Sequence, residues 1–257
     1  MKPIKLHGQP IGELNQPLIC TPLVGKTPEA VLSELAVVLP KQPDVIEWRV
    51  DFFDEIANTA TVVQVAHSLK QAAGGTPIIF TCRAMHEGGE RIPLDGAGVV
   101  QLYVAVCASR AVDFIDYEMS NPAQDIAAVR QASRANNLAM IMSYHNFQAT
   151  PEGEALVAKF AEAERLGADI AKVAVMPKSP GDVLTLLGAV WRADEAGSIP
   201  LIGMSMGGFG AVSRMVGGVF GSALTFAVGK SASAPGQIPI EDLRIALSTV
   251  GRSVAGK

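Results

Sequence analysis

A single lysine, Lys172, interrupts the apolar run from Ile170 to Met176. Lysine is almost never fully buried unless it is paired. A lysine in such a run is therefore either the ion-pair partner of a carboxylate (Glu47, Asp116 and Glu118 are the candidates) or a nucleophile. In a dry pocket near cations such as Arg49 or Arg83, desolvation and like charge favour the neutral amine. A neutral amine attacks a ketone and forms an imine. The iminium draws electrons, so a neighbouring C–H becomes acidic. His145, which ends the apolar run 138–147, is the natural base for that proton, since imidazole titrates near neutral pH. Glu87 would hold its second ring nitrogen, as carboxylates orient imidazole elsewhere. A satisfied core histidine is the alternative for His145.

Other polar residues also interrupt or end apolar runs. Glu47, Arg49 and Asp51 occupy alternate positions and so share one face of a strand. Arg83, Asp116, Glu118 and Ser143 stand at run ends, and Ser233 and Gln237 follow the last run. Glu47 with Arg49 also reads as a buried ion pair orienting the floor of the fold. Arg214 offers a planar fork suited to a carboxylate or a phosphate. The glycine-rich SMGGFG (205–210) admits a phosphate loop or a mobile lid. A metal site is not expected: there is no H-x-H or H-E-x-x-H, and the lysine and arginines would repel a cation. His86 lies in a hydrophilic loop and reads as solvated, and His7 and His67 have no motif around them.

Eight strand-like runs must position these groups: 17–25, 44–53, 77–83, 111–118, 138–147, 169–177, 199–207 and 224–229. Helical-period segments follow them at 27–39, 58–73, 98–110, 121–136, 150–167, 179–197, 209–221 and 239–251. Thr27, Thr150 and Ser179, each before proline, read as N-caps, and Gly167 and Gly197 as C-terminal stops. Eight near-continuous apolar strands alternating with helices predict an α/β fold, the (β/α)8 or TIM barrel, in which functional groups gather at the C-terminal strand ends. Residues 4–17 read as an N-terminal β-hairpin, turning near Gly8–Pro10, that closes the barrel bottom. A doubly wound open sheet is the alternative, but no G-x-G-x-x-G follows the first strand. Without any linker-like stretch, residues 1–257 are expected to form one barrel domain.

Composition excludes several classes. The chain has 257 residues, 49% of them hydrophobic, and a net charge of −4 from 21 basic and 25 acidic residues. No basic patch predicts nucleic acid, and no basic amphipathic helix predicts a membrane surface. No apolar run reaches the roughly 18 residues of a membrane span, and MKPIKLHGQP lacks the apolar core of a secretory signal. Cys20, Cys82 and Cys107 have no C-x-x-C spacing and read as reduced core thiols. A cytoplasmic protein is expected.

Taken in order, EWRVDFF (47–53), FTCRAMHEGGE (80–90), IDYE (115–118), SYHNF (143–147), AKVAVMP (171–177), MSMGGFGAVSR (204–214), FGSALTFA (220–227) and SASAPGQI (231–238) run through nearly the whole chain. This set resembles type I 3-dehydroquinate dehydratase, the Schiff-base lyase of the shikimate pathway. The resemblance implies a barrel that needs neither metal nor organic cofactor. It implies that Lys172 attacks the C3 ketone of 3-dehydroquinate. His145 would remove a C2 proton and help the C1 hydroxyl leave, with Glu87 orienting it. It further implies that Arg214, Ser233 and Gln237 bind the substrate carboxylate and that Glu47 and Arg83 hold ring hydroxyls. Arg49 would place Glu47, and Met204, Met206 and Phe226 would form apolar walls. Asp116 and Glu118 carry over as supporting charges behind the site. Relatives commonly have charged residues where this chain reads MSMGGFG, and they are commonly homodimers. A class I aldolase would share the lysine but should lack the serine–glutamine pair. A non-catalytic binder would use Lys172 only as an ion-pair partner.

Overall fold

Two-residue periodicity in eight short segments decides the architecture. The computed structural model describes residues 1–12 and 16–255, so part of the expected segment 4–17 and the end of the expected domain lie outside the described residues. In chain order the strands are β1 (Lys5–Leu6), β2 (Gln9–Pro10), β3 (Leu18–Leu23), β4 (Val45–Arg49), β5 (Ile78–Thr81), β6 (Phe114–Glu118), β7 (Ala139–Asn146), β8 (Ile170–Val175), β9 (Leu201–Ser205), β10 (Leu224–Val228) and β11 (Ile238–Pro239). The helices are α1 (Pro28–Val38), α2 (Thr59–Ala72), α3 (Gly96–Ser109), α4 (Ala123–Ala135), α5 (Gly153–Arg165), α6 (Pro180–Ala196), α7 (Gly207–Val216) and α8 (Ile240–Ala255). Strands β3 to β9 pair in parallel in chain order, and β10 pairs with β3. A parallel bridge between Leu201 and Ser222, with the Ala223 N–H donating to the Leu201 carbonyl, joins the remaining gap. The sheet is thus the expected (β/α)8 barrel.

Alternation sorts every strand into an inner and an outer set. The inner residues nearest the strand starts are apolar: Leu18, Val45, Ile79, Phe114, Ile141, Ile170, Ile202 and Leu224 form one cluster. Ile4 belongs to the same cluster, so the β1–β2 ribbon closes the bottom of the barrel. Its turn is His7–Gly8, both at positive φ, the conformation a two-residue hairpin loop requires. Pro10 therefore lies in β2, past the turn where the sequence had suggested it. The outer residues, among them Ile46, Trp48, Phe80, Ile115, Tyr117, Met140, Ala171 and Val173, pack against the helices as a separate core.

Part of that outer core fixes the strand ends. Trp48, Phe80, Tyr103 and Tyr117 meet edge to face in series, an arrangement that adds stabilisation beyond area burial. The Tyr103 hydroxyl accepts from the Cys82 N–H and donates to the Asp116 carbonyl. It thereby links the ends of β5 and β6.

Local expectations fail in three places. Thr27 and Ser179 cap their helices, but Thr150 does not cap α5; its hydroxyl donates to the Met176 carbonyl and ties the loop after β7 to the end of β8. Strand β4 stops at Arg49, and residues 50–52 form a 3₁₀ turn, so Asp51 does not continue the strand face. Helix α7 begins at Gly207, two residues before the expected start, because Gly207 takes φ +67° and turns the chain straight out of β9. Gly167 stops α5 at positive φ, whereas Gly197 ends α6 in extended backbone.

All three cysteines are buried, and burial pushes each thiol up, Cys107 to about 12. Native protein at pH 8 should therefore give no rapid reaction with Ellman's reagent, and unfolded protein should titrate three thiols. A burst of one equivalent from the native state would contradict this packing.

Candidate active site

One step up from the apolar floor, the inner positions of β4 to β8 turn polar (Glu47, Thr81, Asp116, Ser143 and Lys172), whereas those of β3, β9 and β10 stay apolar (Cys20, Met204 and Phe226). Ile170 lies in the floor, and Lys172, two residues on, rises into the barrel. Its ladder neighbour on β7 is Ser143. The lysine Nζ donates to Asp116 Oδ2 at 2.7 Å, lies 3.6 Å from Glu47 Oε1 and sits 4.5 Å from the centre of the Phe226 ring. Of the three carboxylates expected as ion-pair candidates, Asp116 and Glu47 face the lysine, and Glu118 pairs with Arg83 instead. Thr81 donates to the same Glu47 oxygen.

Arg83, just past β5, binds three groups at once. Its guanidinium reaches Asp116 Oδ1 (2.9 Å), Glu118 Oε1 (2.9 Å) and the Ser143 hydroxyl (2.8 Å), and Ser143 in turn donates to Asp116. Burial alone would raise the Asp116 carboxyl, but Arg83 and Lys172 outweigh it and hold Asp116 far below the usual carboxylate range. Asp116 stays an anion that orients both cations.

Arg49 departs from expectation. It forks onto Asp51 (2.9 and 2.8 Å) and makes no hydrogen bond to Glu47. Because the 3₁₀ turn brings Asp51 back toward the strand it has just left, its carboxylate also accepts the backbone N–H groups of Arg83 and Glu90. Four donors on one buried carboxylate fasten the loop that carries Arg83 and Glu87 to the end of β4.

That loop delivers Glu87 to His145. Glu87 Oε2 lies 2.9 Å from His145 Nδ1 and also accepts the His145 backbone N–H. A carboxylate there requires a proton on Nδ1, which leaves the lone pair on Nε2. Burial, then the charges of Arg83 and Lys172, lower His145 well below 6.5, so the ring is neutral at physiological pH. Burial raises the Glu87 carboxyl, with its hydrogen bond from Ser120 opposing.

At the far end of the pocket, Arg214 on α7 is 1% exposed. It donates to the carbonyls of Phe226 and Pro235 and touches the Met204 sulfur; it has no acidic partner among the described residues. With no counter-charge, burial lowers its guanidinium to about 10. Ser233 and Gln237 hydrogen-bond to each other across the loop above it.

Lys172, His145, Glu87, Glu47, Arg49, Arg83, Arg214, Ser233, Gln237, Met204, Met206 and Phe226 all line one pocket at the C-terminal mouth of the barrel. Asp116 and Glu118 lie behind it. A family model described as type I 3-dehydroquinase matches residues 19–253. The chain belongs to the type I 3-dehydroquinase family, a family of hydro-lyases. The 3-dehydroquinate dehydratase of Albidiferax ferrireducens is 54% identical over 98% of this chain and 96% of its own length. The crystal structure of the Geobacillus kaustophilus enzyme matches with a TM-score of 0.94 at 49% identity, covering 98% of this chain and 97% of that one. The Clostridium difficile type I enzyme, solved with covalent modified comenic acid, matches with a TM-score of 0.92 at 36% identity over 98% and 99% of the two chains.

Set beside the family pattern, Phe147, Gly88, Ala174 and Ala234 also line the pocket. Phe147 lies in SYHNF and could have been read from that motif. Gly88 has φ +87°, and any Cβ there would stand 2.3 Å from the Phe147 ring. Asp51 was visible as a residue but its role was not, because a turn reverses its direction.

Asp51→Ala should strand the buried Arg49 without a counter-charge, which costs on the order of 3–5 kcal/mol. The thermal midpoint should fall by roughly 10 °C. A shift below about 2 °C in calorimetry would show that Asp51 does not carry this junction.

Proposed function

We propose that this protein dehydrates 3-dehydroquinate to 3-dehydroshikimate through a covalent imine on Lys172, the third step of the shikimate route to aromatic amino acids. The observation that carries the reading is one pocket shared by a buried lysine, a neutral histidine and a buried arginine with no acidic partner. The ketone would meet Lys172, and the carboxylate would meet Arg214, a buried cation with no acidic partner among the described residues. Ser233 and Gln237 would complete that end.

In the resting state the Nζ hydrogen bond to Asp116 aims the amine. Asp116 is too weak a base to take its proton, so the neutral His145 takes it before attack on C3. Carbinolamine formation and loss of water, with His145 returning the proton, give the iminium. His145 then takes a C2 proton while the C–H electron pair moves into the iminium, and the resulting enamine expels the C1 hydroxyl as water with the proton that His145 returns, a syn elimination. Water added to the product imine releases 3-dehydroshikimate and restores Lys172. No net proton is exchanged with solvent. The Clostridium difficile relative with covalent modified comenic acid supports a covalent route. A phosphate-dependent aldolase is disfavoured by the serine–glutamine pair beside Arg214. Family membership supports a homodimer, and a biosynthetic role supports a cytoplasmic location. No described helix is long and apolar enough to cross a membrane. The chain from 1 to 257 would act as one barrel domain.

Borohydride added during turnover of 3-dehydroquinate should leave an adduct on the peptide that contains Lys172, and Lys172→Ala should abolish it. His145→Ala should still trap the imine while kcat falls by about 10²–10⁴. Turnover without any trappable adduct would refute the covalent route. For Arg214→Ala, loss of a charge-assisted bond worth on the order of 1.5–3 kcal/mol should raise KM by about tenfold or more. An unchanged KM would remove Arg214 from the carboxylate end. Because His145 is held well below 6.5, the base stays unprotonated as pH falls through 6.5. The acid limb of kcat should therefore lie below that value.

A further inference from the structure

The His145–Glu87 pair does not end inside the pocket. Glu87 Oε1, the oxygen that does not serve His145, lies 2.6 Å from the Ser120 hydroxyl, and that hydroxyl lies 3.2 Å from His86 Nε2. Proton counting sets the direction of the chain. The carboxylate has no proton, so Ser120 donates to Glu87. Ser120 has then used its one hydrogen, so its oxygen accepts, and His86 Nε2 must carry the proton it offers. His86 and Glu87 share the 3₁₀ turn 85–87 after β5, whereas Ser120 lies in the turn after β6. His86 and Ser120 are both exposed. Two surface loops thus converge on one carboxylate oxygen.

We propose that Ser120, oriented by His86, is a positioning residue for the dehydration: it holds the Glu87 carboxylate in the ionised form and the rotamer that keep the His145 proton on Nδ1 and the base on Nε2. The proposal rests on the reading that His145 is the general base.

The groups around Glu87 show why this one bond matters. Burial and Glu118 on β6 push the carboxyl toward its protonated form. Ser120, Arg83 at the end of β5 and the His145 backbone N–H on β7 oppose them, and Ser120 heads the opposing groups. Once protonated, Glu87 can donate to Nδ1 instead of accepting from it, and the imidazole is free to carry its hydrogen on Nε2, which then has no lone pair with which to act as a base. Deleting the hydroxyl leaves burial less opposed, so Glu87 would protonate at higher pH. An exposed serine fills no cavity, so the fold should not register its loss.

Ser120→Ala should lower kcat by about five- to tenfold, the size of one ordinary solvent-exposed hydrogen bond. KM for 3-dehydroquinate should change by less than about twofold, since no substrate contact is lost. The acid limb of kcat should move to higher pH, and the thermal midpoint should stay within about 2 °C. Ser120→Thr, which keeps the hydroxyl, should restore kcat and the limb. His86→Ala should shift both in the same direction by a smaller factor, and His86→Gln should recover part of the loss. Wild-type kcat and pH dependence in Ser120→Ala would overturn the proposal, as would a threonine variant as impaired as alanine. Glu87→Gln and His145→Ala, measured alongside, separate the two levels. If both keep normal turnover, the general-base reading itself fails; if both lose turnover while Ser120→Ala is silent, only the role of Ser120 falls.

Discussion

Charge balance inside a barrel whose floor is dry is the constraint on which the rest of the site depends. Lys172, Arg83 and Arg49 are each at least 95% buried, as are Glu47, Asp116, Glu118 and Asp51. Removing one member of such a set leaves its partner uncompensated, which costs far more than the set itself contributes. The network therefore works less as a source of stability than as a rule about geometry. Asp116 accepts from Lys172, Ser143 and Arg83 together, so none of the three can move without leaving a charge or dipole unpaired. Lys172 is held in one place by this arrangement, as the proposed nucleophile must be to react quickly.

Arg214 obeys the opposite rule. It is as deeply buried as the others but has only carbonyl oxygens and a thioether around it. In a chain that pairs Arg49, Arg83 and Lys172 with carboxylates, an arginine left with neutral acceptors supports the proposed role of meeting the substrate carboxylate. Two of its contacts make the same point from different sides: the Phe226 carbonyl belongs to the rigid strand β10, whereas the Pro235 carbonyl belongs to the loop that carries Ser233 and Gln237. That loop also receives the Gly207 N–H at Pro235, so the residues read as the carboxylate end are fastened to the start of α7. The stretch SMGGFG is better explained by this than by phosphate binding. Gly207 makes the turn out of β9, and Gly210 packs against the Ser205 carbonyl with no room for a side chain.

Much of this was legible in the sequence because a strand has a period of two. Once Ile170, Lys172 and Ala174 are placed on a strand, they share a face, and a lysine between an isoleucine and an alanine on the inner face must lie above the floor and below the mouth. The same reasoning placed Glu47 with Arg49, Asp116 with Glu118, and Ser143 with His145. What it could not supply was direction after a strand ends. Asp51 continues the alternation on paper, yet a 3₁₀ turn folds it back onto Arg49, so the partner expected for Arg49 was wrong. Thr150 had the sequence of a cap, but helix α5 starts later and its hydroxyl serves a neighbouring strand. Ser120 and His86 carried no signal at all, because they lie in different loops and meet only once β5 and β6 are paired.

The paired state of Lys172 is the point at which structure changes the chemical argument. An isolated lysine would need desolvation alone to present a lone pair. Here the amine is aimed by Asp116, and Asp116 is so strongly stabilised as an anion that it cannot serve as the proton acceptor. In the proposed mechanism the proton goes instead to the neutral imidazole of His145 on the adjacent strand. On this reading one histidine handles the proton of imine formation and the proton of elimination, so its tautomer matters twice in each cycle. That places unusual weight on Glu87, the residue that sets the tautomer, and on whatever keeps Glu87 ionised at the edge of a buried site.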